Sequence, residues 1–158
     1  MSVTTIGATD ARQCYINSAN KYSSDTNPCD TALKRRDLTR IDEAKTLINR
    51  GIILNRNGDL NEAIADFNSA LDINDGIGEA YLNRGNSWFM GGRLDDALSD
   101  YHRALDLNVS EPWAAWYNIG LVHDARDETD DARKAYKKAL EFNPDFTLAQ
   151  VKLNRENK

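Results

Sequence analysis

Histidine, cysteine and proline are scarce in this sequence. The first two scarcities argue against metal sites and catalysis, and the third favours helices. Two histidines and two cysteines in 158 residues supply few metal ligands or catalytic bases. Three prolines leave most of the chain free to form helices. No apolar run is long enough for a membrane-spanning helix. The net charge of −5 argues against nucleic acid as a partner, because its phosphates require a basic surface.

Recognisable catalytic motifs are also lacking. The sequence has no phosphate-binding loop, nucleophile elbow or HExxH pattern. The acidic pairs Asp95-Asp96 and Asp130-Asp131 fall where helices begin, and negative charge there stabilises the helix dipole. His123 occupies a packing position and His102 a surface one. We therefore expect no enzyme, no metal and no cofactor.

What the sequence has in abundance is repetition. Gly51, Gly85 and Gly120 are separated by 34 and 35 residues. A period of this length is typical of stacked helical hairpins, each of which needs its neighbours to bury its apolar face. The same step relates further sets: Ala63, Ala97 and Ala132; Phe67, Tyr101 and Tyr136; Ala70-Leu71, Ala104-Leu105 and Ala139-Leu140; Asn74, Asn108 and Asn143.

One copy shows why the repeat is a hairpin. Apolar and small residues of segment 44–56 recur at helical spacing, and Gly58 then allows the helix to end. Asp59 and Glu62 have the spacing of a capping box for a second helix, whose inner face includes Phe67. A short connection makes the two helices antiparallel.

Together these positions resemble the tetratricopeptide repeat. The second copy carries Tyr81, Gly85, Trp88, Gly92, Ala97, Tyr101 and Ala104, and the third carries Trp116, Gly120, Ala132, Tyr136, Ala139 and Pro144. The resemblance implies an all-α, right-handed α-solenoid of stacked antiparallel hairpins. The expected units are a polar tail (1–9), a degenerate N-terminal hairpin (10–43), three repeats (44–77, 78–112 and 113–146) and a polar-faced C-terminal capping helix (147–158).

The degenerate hairpin contains both cysteines. Counted back from Ala32-Leu33, Cys29 matches Phe67, and Cys14 lies on the partner helix. We predict a disulfide between them, which stabilises such a loop by about 3 kcal/mol; the alternative is two buried thiols in a reduced cytosolic protein. A disulfide implies a periplasmic or otherwise oxidising compartment and a signal peptide removed from the sequence as given. A cytoplasmic location remains the alternative.

The resemblance also places a binding groove on the first helix of each hairpin. We expect its lining to bind a peptide, and Asn49, Asn83 and Asn118 to form a ladder along it, since an amide can both donate to and accept from a peptide backbone. The alternative for these amides is an ordinary interhelical or solvated role. The lining residues are Ile48, Asn49, Ile52, Leu82, Asn83, Asn86, Phe89, Tyr117, Asn118 and Leu121.

These features predict a protein-interaction scaffold that binds an extended or helical segment of a protein partner of unknown identity. Relatives that clamp a carboxylate use lysine, asparagine, lysine and arginine, in this order, where this chain has Ile48, Ile52, Ala114 and Asn118, so we expect no such clamp. The alternative function is self-association into a homo-oligomer through the groove or the ends of the stack, with Trp113 and Trp116 as candidate contacts.

Overall fold

The computed structural model describes residues 6–35 and 37–155. These residues form helices only, connected by short turns. Residues 1–5 of the expected tail and Arg36 lie outside the described part. The helices are α1 (Ile6–Ala19), α2 (Asn27–Arg35), α3 (Arg40–Asn57), α4 (Leu60–Ile73), α5 (Gly78–Met90), α6 (Leu94–Asp106), α7 (Pro112–Ala125), α8 (Thr129–Phe142) and α9 (Thr147–Arg155).

Consecutive helices pack as hairpins, and each hairpin packs on the next, so the chain is an all-α solenoid. Within the three repeats, the turn between the two helices has one residue in the left-handed conformation. Gly58 (φ 89°) and Gly92 (φ 75°) adopt it, and Asp127 (φ 59°) takes the same position in the third repeat. Aspartate tolerates this conformation better than most residues with a side chain, which explains why the turn survives there without glycine.

Each repeat has a core in which glycine faces an aromatic ring. A Cβ added to Gly51 would lie 2.7 Å from Phe67 Cε1, and one added to Gly85 would lie 2.6 Å from Tyr101 Cε1. Gly120 contacts the ring of Tyr136 in the same way. The three rings are completely or almost completely buried. The repeat glycines are therefore required by close packing, as the periodicity suggested.

Helix caps differ between the two helices of the first repeat. The Thr39 hydroxyl accepts a hydrogen bond from the Asp42 amide (3.1 Å) and caps α3. Asp59 precedes α4, but its side chain makes no capping hydrogen bond. The capping box predicted from Asp59 and Glu62 is therefore absent, and α4 is stabilised by its packing against α3 instead.

The N-terminal hairpin is closed by a disulfide between Cys14 of α1 and Cys29 of α2, whose Cα atoms are 4.8 Å apart. Both cysteines are completely buried and pack against Ile53 of α3. Helix α1 begins at Ile6 rather than at residue 10, inside the stretch expected to be a polar tail. The hairpin is therefore longer than its sequence signals indicate.

Arg56 of α3 connects this hairpin to the first repeat by hydrogen bonds. Its guanidinium donates hydrogen bonds to the backbone carbonyls of Ser18 (2.8 Å) and Ser23 (2.6 Å). Ser18 lies in the last turn of α1, where carbonyls lack partners within the helix and carry partial negative charge. A side chain from the neighbouring repeat thus caps α1.

Replacing Arg56 by alanine should lower the free energy of unfolding by about 1–3 kcal/mol, because two carbonyls lose a charged donor. Amide hydrogen exchange should accelerate mainly in α1 and α2. Arg93→Ala is the control, since Arg93 is largely exposed and its contacts, an ion pair with Asp96 and stacking over the Trp88 ring, both lie within the second repeat. Unchanged exchange in α1 would contradict this role of Arg56.

The C-terminal helix α9 packs against α8 and buries Ala149. We expected its outer face to be polar, as in a closing helix. Instead Leu148 and Val151 are 55% and 42% exposed, and Phe142 at the end of α8 is 54% exposed. The C-terminal end of the stack is therefore partly apolar.

Candidate functional site

The first helices of consecutive hairpins pack on one another more closely than the second helices do, so the first helices form the inner, concave side of the stack. Helices α1, α3, α5 and α7 lie side by side in this order, each in contact with the next. The second helices α2, α4, α6 and α8 cover the other side of each hairpin. The predicted groove residues all lie on α3, α5 and α7, so the structure brings them onto neighbouring helices.

Two of the predicted groove residues are not accessible. Ile48 and Leu82 are only 7% and 8% exposed, and each belongs to the apolar core of its repeat. Both cores extend into the following repeat, to Ala80 in one case and to Ala115 and Ile119 in the other, a contact between repeats that the pattern of a single repeat does not show. Neither residue offers an open apolar surface to a partner.

Four other apolar or aromatic residues of the groove are half-buried. Ile52 and Phe89 pack along the edges of the two larger cores. Tyr117 contacts the rings of Tyr136 and Phe146, with centroids 5.6 and 5.2 Å away, and Leu121 lies beside the same cluster. One side of each of these side chains packs against the core, and the other side faces solvent.

Two asparagines of the predicted ladder bridge adjacent hairpins. Asn49 Oδ1 accepts a hydrogen bond from Ser18 Oγ on α1 (3.1 Å). Asn118 Nδ2 donates to Asn86 Oδ1 on α5 (2.8 Å). The same Asn86 oxygen accepts a bond from the Tyr101 hydroxyl (3.1 Å). These amides therefore take up the interhelical role left open as the alternative.

The central asparagine differs from the other two. Asn83 Nδ2 donates to the carbonyl of Glu79 on its own helix (2.8 Å). The bridge between repeats is made here by Asn55, whose amide donates to the Asn83 carbonyl (3.2 Å) and accepts from Ser87 Oγ (2.7 Å). The hydrogen bond of the Asn83 side chain therefore stays within its own repeat.

A cavity of about 280 Å³ opens on the concave side between α3 and α5. Met90 at its edge is 56% exposed. Three amides, one guanidinium and two apolar side chains line it, a combination that suits a peptide backbone and its side chains. Its lining consists of Ile52, Asn55, Arg56, Asn83, Asn86 and Met90.

The two histidines lie outside this groove cavity. His123 Nδ1 is 2.6 Å from Glu128 Oε2, a pairing across the turn that follows α7. His102 is exposed and meets the edge of Trp116 at a centroid distance of 6.3 Å. Across the described residues, histidine, cysteine, aspartate and glutamate form no cluster of three suited to a metal ion.

Sequence reasoning missed two ion pairs in which a half-buried arginine meets a buried aspartate. Arg50 forms two hydrogen bonds with Asp66 (2.7 and 2.6 Å), and Arg84 forms two with Asp100 (both 2.7 Å). Hydrogen bonding to Asp100 raises the pKa of Arg84. Both pairs join the first and second helices of one repeat and recur at the 34-residue step, the signal by which they could have been found. The third repeat has Ile119 in place of the arginine.

Stacked antiparallel hairpins with glycine–aromatic cores and a concave face define a helical-repeat scaffold. Family models described as tetratricopeptide repeat match residues 48–108 and 113–146, more than half of the chain. The chain belongs to the tetratricopeptide repeat family. No curated protein matches its sequence.

Solved structures share this fold. The chain is similar to MamA, with a TM-score of 0.69 and 27% identity over 81% of this chain and 72% of that one. It is similar to the first such domain of Spaghetti (RPAP3), solved bound to the HSP90 peptide SRMEEVD (TM-score 0.66, 25% identity, 72% and 89% covered). YrrB, described as having an unusual peptide-binding site, shares the fold at 20% identity (TM-score 0.68, 82% and 64% covered).

None of the helices within 6–35 and 37–155 combines the length and apolarity needed to cross a membrane.

Proposed function

We propose that this chain is a protein-interaction scaffold that holds an extended or helical segment of a partner protein in its concave groove. The observation that carries the proposal is the cavity between α3 and α5, where the amides of Asn83 and Asn86 lie beside Ile52 and Met90. The peptide complex of the Spaghetti domain supports it, because that domain shares the fold. The half-buried Tyr117 and Leu121 would extend the contact along α7.

Peptide selection tests this proposal. Twelve-residue peptides selected from a random displayed library would be synthesised and their affinities measured by fluorescence anisotropy. Asn83→Ala should weaken their binding by about 1–3 kcal/mol, the cost of losing a desolvated hydrogen bond. The fold should persist, because the Asn83 side chain bonds only its own helix, and the bond that its backbone carbonyl accepts from Asn55 does not depend on that side chain. Asn61→Ala, at an exposed position of α4, is the matched control. Equal affinities for the Asn83 variant and the unchanged chain would contradict a role for this cavity.

Self-association is a second candidate, favoured by the exposure of Phe142, Leu148 and Val151 at the C-terminal end. Trp113 and Trp116 are weaker candidates for such a contact, because both are half-buried against the cores. Light scattering over a concentration series distinguishes the two functions. A mass that rises with concentration and returns to that of a monomer in Leu148→Glu would favour self-association.

We also propose an oxidising compartment, the periplasm or another exported location, for this protein. Its support is the disulfide between Cys14 and Cys29, since such bonds persist mainly outside reducing compartments. The thiol measurement described in the Discussion tests it.

A further inference from the structure

A cavity of about 410 Å³ opens in the third repeat on the side away from the groove, between residues of α6, α7 and α8. We call it the convex cavity, because the second helices α6 and α8 border it. Ile119 and Ala135 in its lining are only 2% and 3% exposed, and Trp116 lies beside them. Both histidines of the sequence, His102 and His123, also line it. The convex cavity therefore has an apolar floor of buried side chains.

Comparison with the first repeat shows that this apolar floor is a property of the third repeat. The equivalent cavity of the first repeat, of about 390 Å³, contains Arg50, which pairs with Asp30 (2.7 Å) and Asp66 (2.6 Å). At the 34- and 35-residue steps, Ile119 and Ala135 replace Arg50 and Asp66. A phenyl ring placed on an ionic floor would remove water from the ion pair at a cost in free energy. On the floor of the third repeat this cost is absent.

An exposed aromatic side chain lies on the same face of α8 as the convex cavity. Phe142 is 54% exposed. It follows Ala135 by seven residues, nearly two turns, so the two residues share one face of the helix. Ile73 and Leu107, its equivalents in the first two repeats, are half-buried. The third repeat thus presents an apolar cavity and a protruding ring on a single surface.

The charges on this face of α8 balance. Lys134 bonds Asp131, and Lys138 bonds Glu141 (both 2.8 Å). Next to the cavity, His123 bonds the carboxylate of the turn that follows α7. Two cations and two carboxylates leave the face without net charge, so a second copy of the same face is not repelled.

We propose that the convex cavity binds a second copy of this chain, so that two copies form a two-fold dimer through their third repeats. Phe142 of each copy enters the convex cavity of the other and contacts Ile119 and Ala135 there. One surface supplies both the ring and the cavity, which is the self-complementarity that a two-fold contact requires. The proposal rests on the second candidate function, self-association, and gives it a surface that leaves the concave groove open.

Charge complementarity also favours a second copy as the occupant. Because Phe142 of one copy must lie opposite Ala135 of the other and the reverse, the two α8 helices run antiparallel. This arrangement brings Glu141 of one copy within a turn of Lys134 of the other, so opposite charges meet at both ends of the contact. Lys138 lies near the two-fold axis, where its bond to Glu141 offsets repulsion from its counterpart.

Sedimentation velocity over a concentration series tests the dimer. The full chain should dimerise reversibly, and Phe142→Ser should raise the dissociation constant at least about thirtyfold, because each dimer loses two buried aromatic anchors. Ile119→Arg with Ala135→Asp, here called the floor variant, gives the third repeat the ion pair of the first two and should have a similar effect. Leu148→Glu on α9 and Tyr22→Ser in the N-terminal hairpin, both at exposed apolar positions, are the controls and should dimerise like the unchanged chain.

Mixing the two variants tests the exchange of rings. A dimer of the Phe142 variant has two cavities and no ring, whereas a dimer of the floor variant has two rings and no apolar cavity. A mixed pair keeps one complete contact, so the mixture should associate more tightly than either variant alone. With the Phe142 variant methyl-labelled, NOEs from aromatic protons of the unlabelled floor variant should reach the methyl groups of Ile119 and Ala135. Phe142→Ser alters an exposed residue, so it decides the matter even if the floor variant does not fold by circular dichroism.

The possible outcomes separate this dimer from the other proposals. A monomer at every concentration, or a Phe142→Ser variant that dimerises as tightly as the unchanged chain, would overturn the dimer. Loss of association in Leu148→Glu but not in Phe142→Ser would overturn this surface and assign self-association to the end of the stack. The scaffold proposal survives each of these results, because binding of the selected peptides in the concave groove is measured separately.

Discussion

Gly85→Leu is expected to destabilise the second repeat by about 3 kcal/mol, near the upper end for an overpacked core. A Cβ at this position would lie 2.6 and 2.8 Å from two atoms of the Tyr101 ring. That ring cannot move aside easily, because it is 1% exposed and its hydroxyl is bonded to Asn86. The better helix propensity of leucine, about 1 kcal/mol in its favour, offsets only part of this cost.

Urea unfolding followed by circular dichroism measures the effect. Ala65→Leu, which introduces the same side chain at an exposed position of α4, should change stability by no more than about 0.5 kcal/mol. The smaller change Gly85→Ala should also lower the free energy of unfolding. This loss should be smaller in a chain that also carries Tyr101→Leu, because the ring that clashes with the new Cβ is absent there. Equal unfolding curves for Gly85→Leu and Ala65→Leu would mean that the glycine does not have to accommodate the ring.

The hairpins of the three repeats could be predicted because their signals are local. Gly58 and Gly92 end helices in the conformation that glycine favours, and the pairing of Gly51 with Phe67 follows from the 34-residue step. The left-handed Asp127 shows that the surrounding packing enforces the turn even where this signal is missing. The third repeat could therefore be predicted from the positions that it shares with the other two, although its turn lacks the glycine.

The groove was predicted less well because its properties depend on contacts between repeats. Ile48 and Leu82 lie on the expected helices, yet both are buried in apolar cores that extend into the following repeat. Whether an asparagine faces a ligand or a neighbour depends on the distance between two first helices, which the sequence of one repeat does not specify. Asn118 reaches Asn86, whereas Asn83 remains with its own helix, although both occupy the same repeat position.

The N-terminal hairpin was the hardest part to derive. Only the Ala32-Leu33 pair relates it to the other repeats in sequence, and α1 has no repeat signature of its own. The carbonyls that Arg56 caps belong to a helix end and a turn, which composition does not reveal.

The disulfide occupies the place of the glycine–aromatic pair, and this equivalence leads to a prediction. Cys29 precedes Ala32 by three residues as Phe67 precedes Ala70, and Cys14 contacts it from the opposite helix as Gly51 contacts Phe67. Replacing both cysteines by alanine should lower the free energy of unfolding by about 3 kcal/mol. Hydrogen exchange should accelerate first in α1 and α2, because the terminal unit of a stack has only one neighbour.

Substituting the repeat's own pair at the same positions, Cys14→Gly with Cys29→Phe, should restore part of that stability and make it independent of reductant. Ile53, which now packs against both cysteines, would contact the new ring. Alkylation of the unchanged protein without reductant, followed by mass spectrometry, should give no labelled thiol and a mass lower by two hydrogens than after reduction. Two freely labelled thiols would contradict both the disulfide and the proposed oxidising compartment. A glycine–phenylalanine variant no more stable than the double alanine would instead show that this hairpin is held by its covalent bond and by Arg56, without the packing of a repeat.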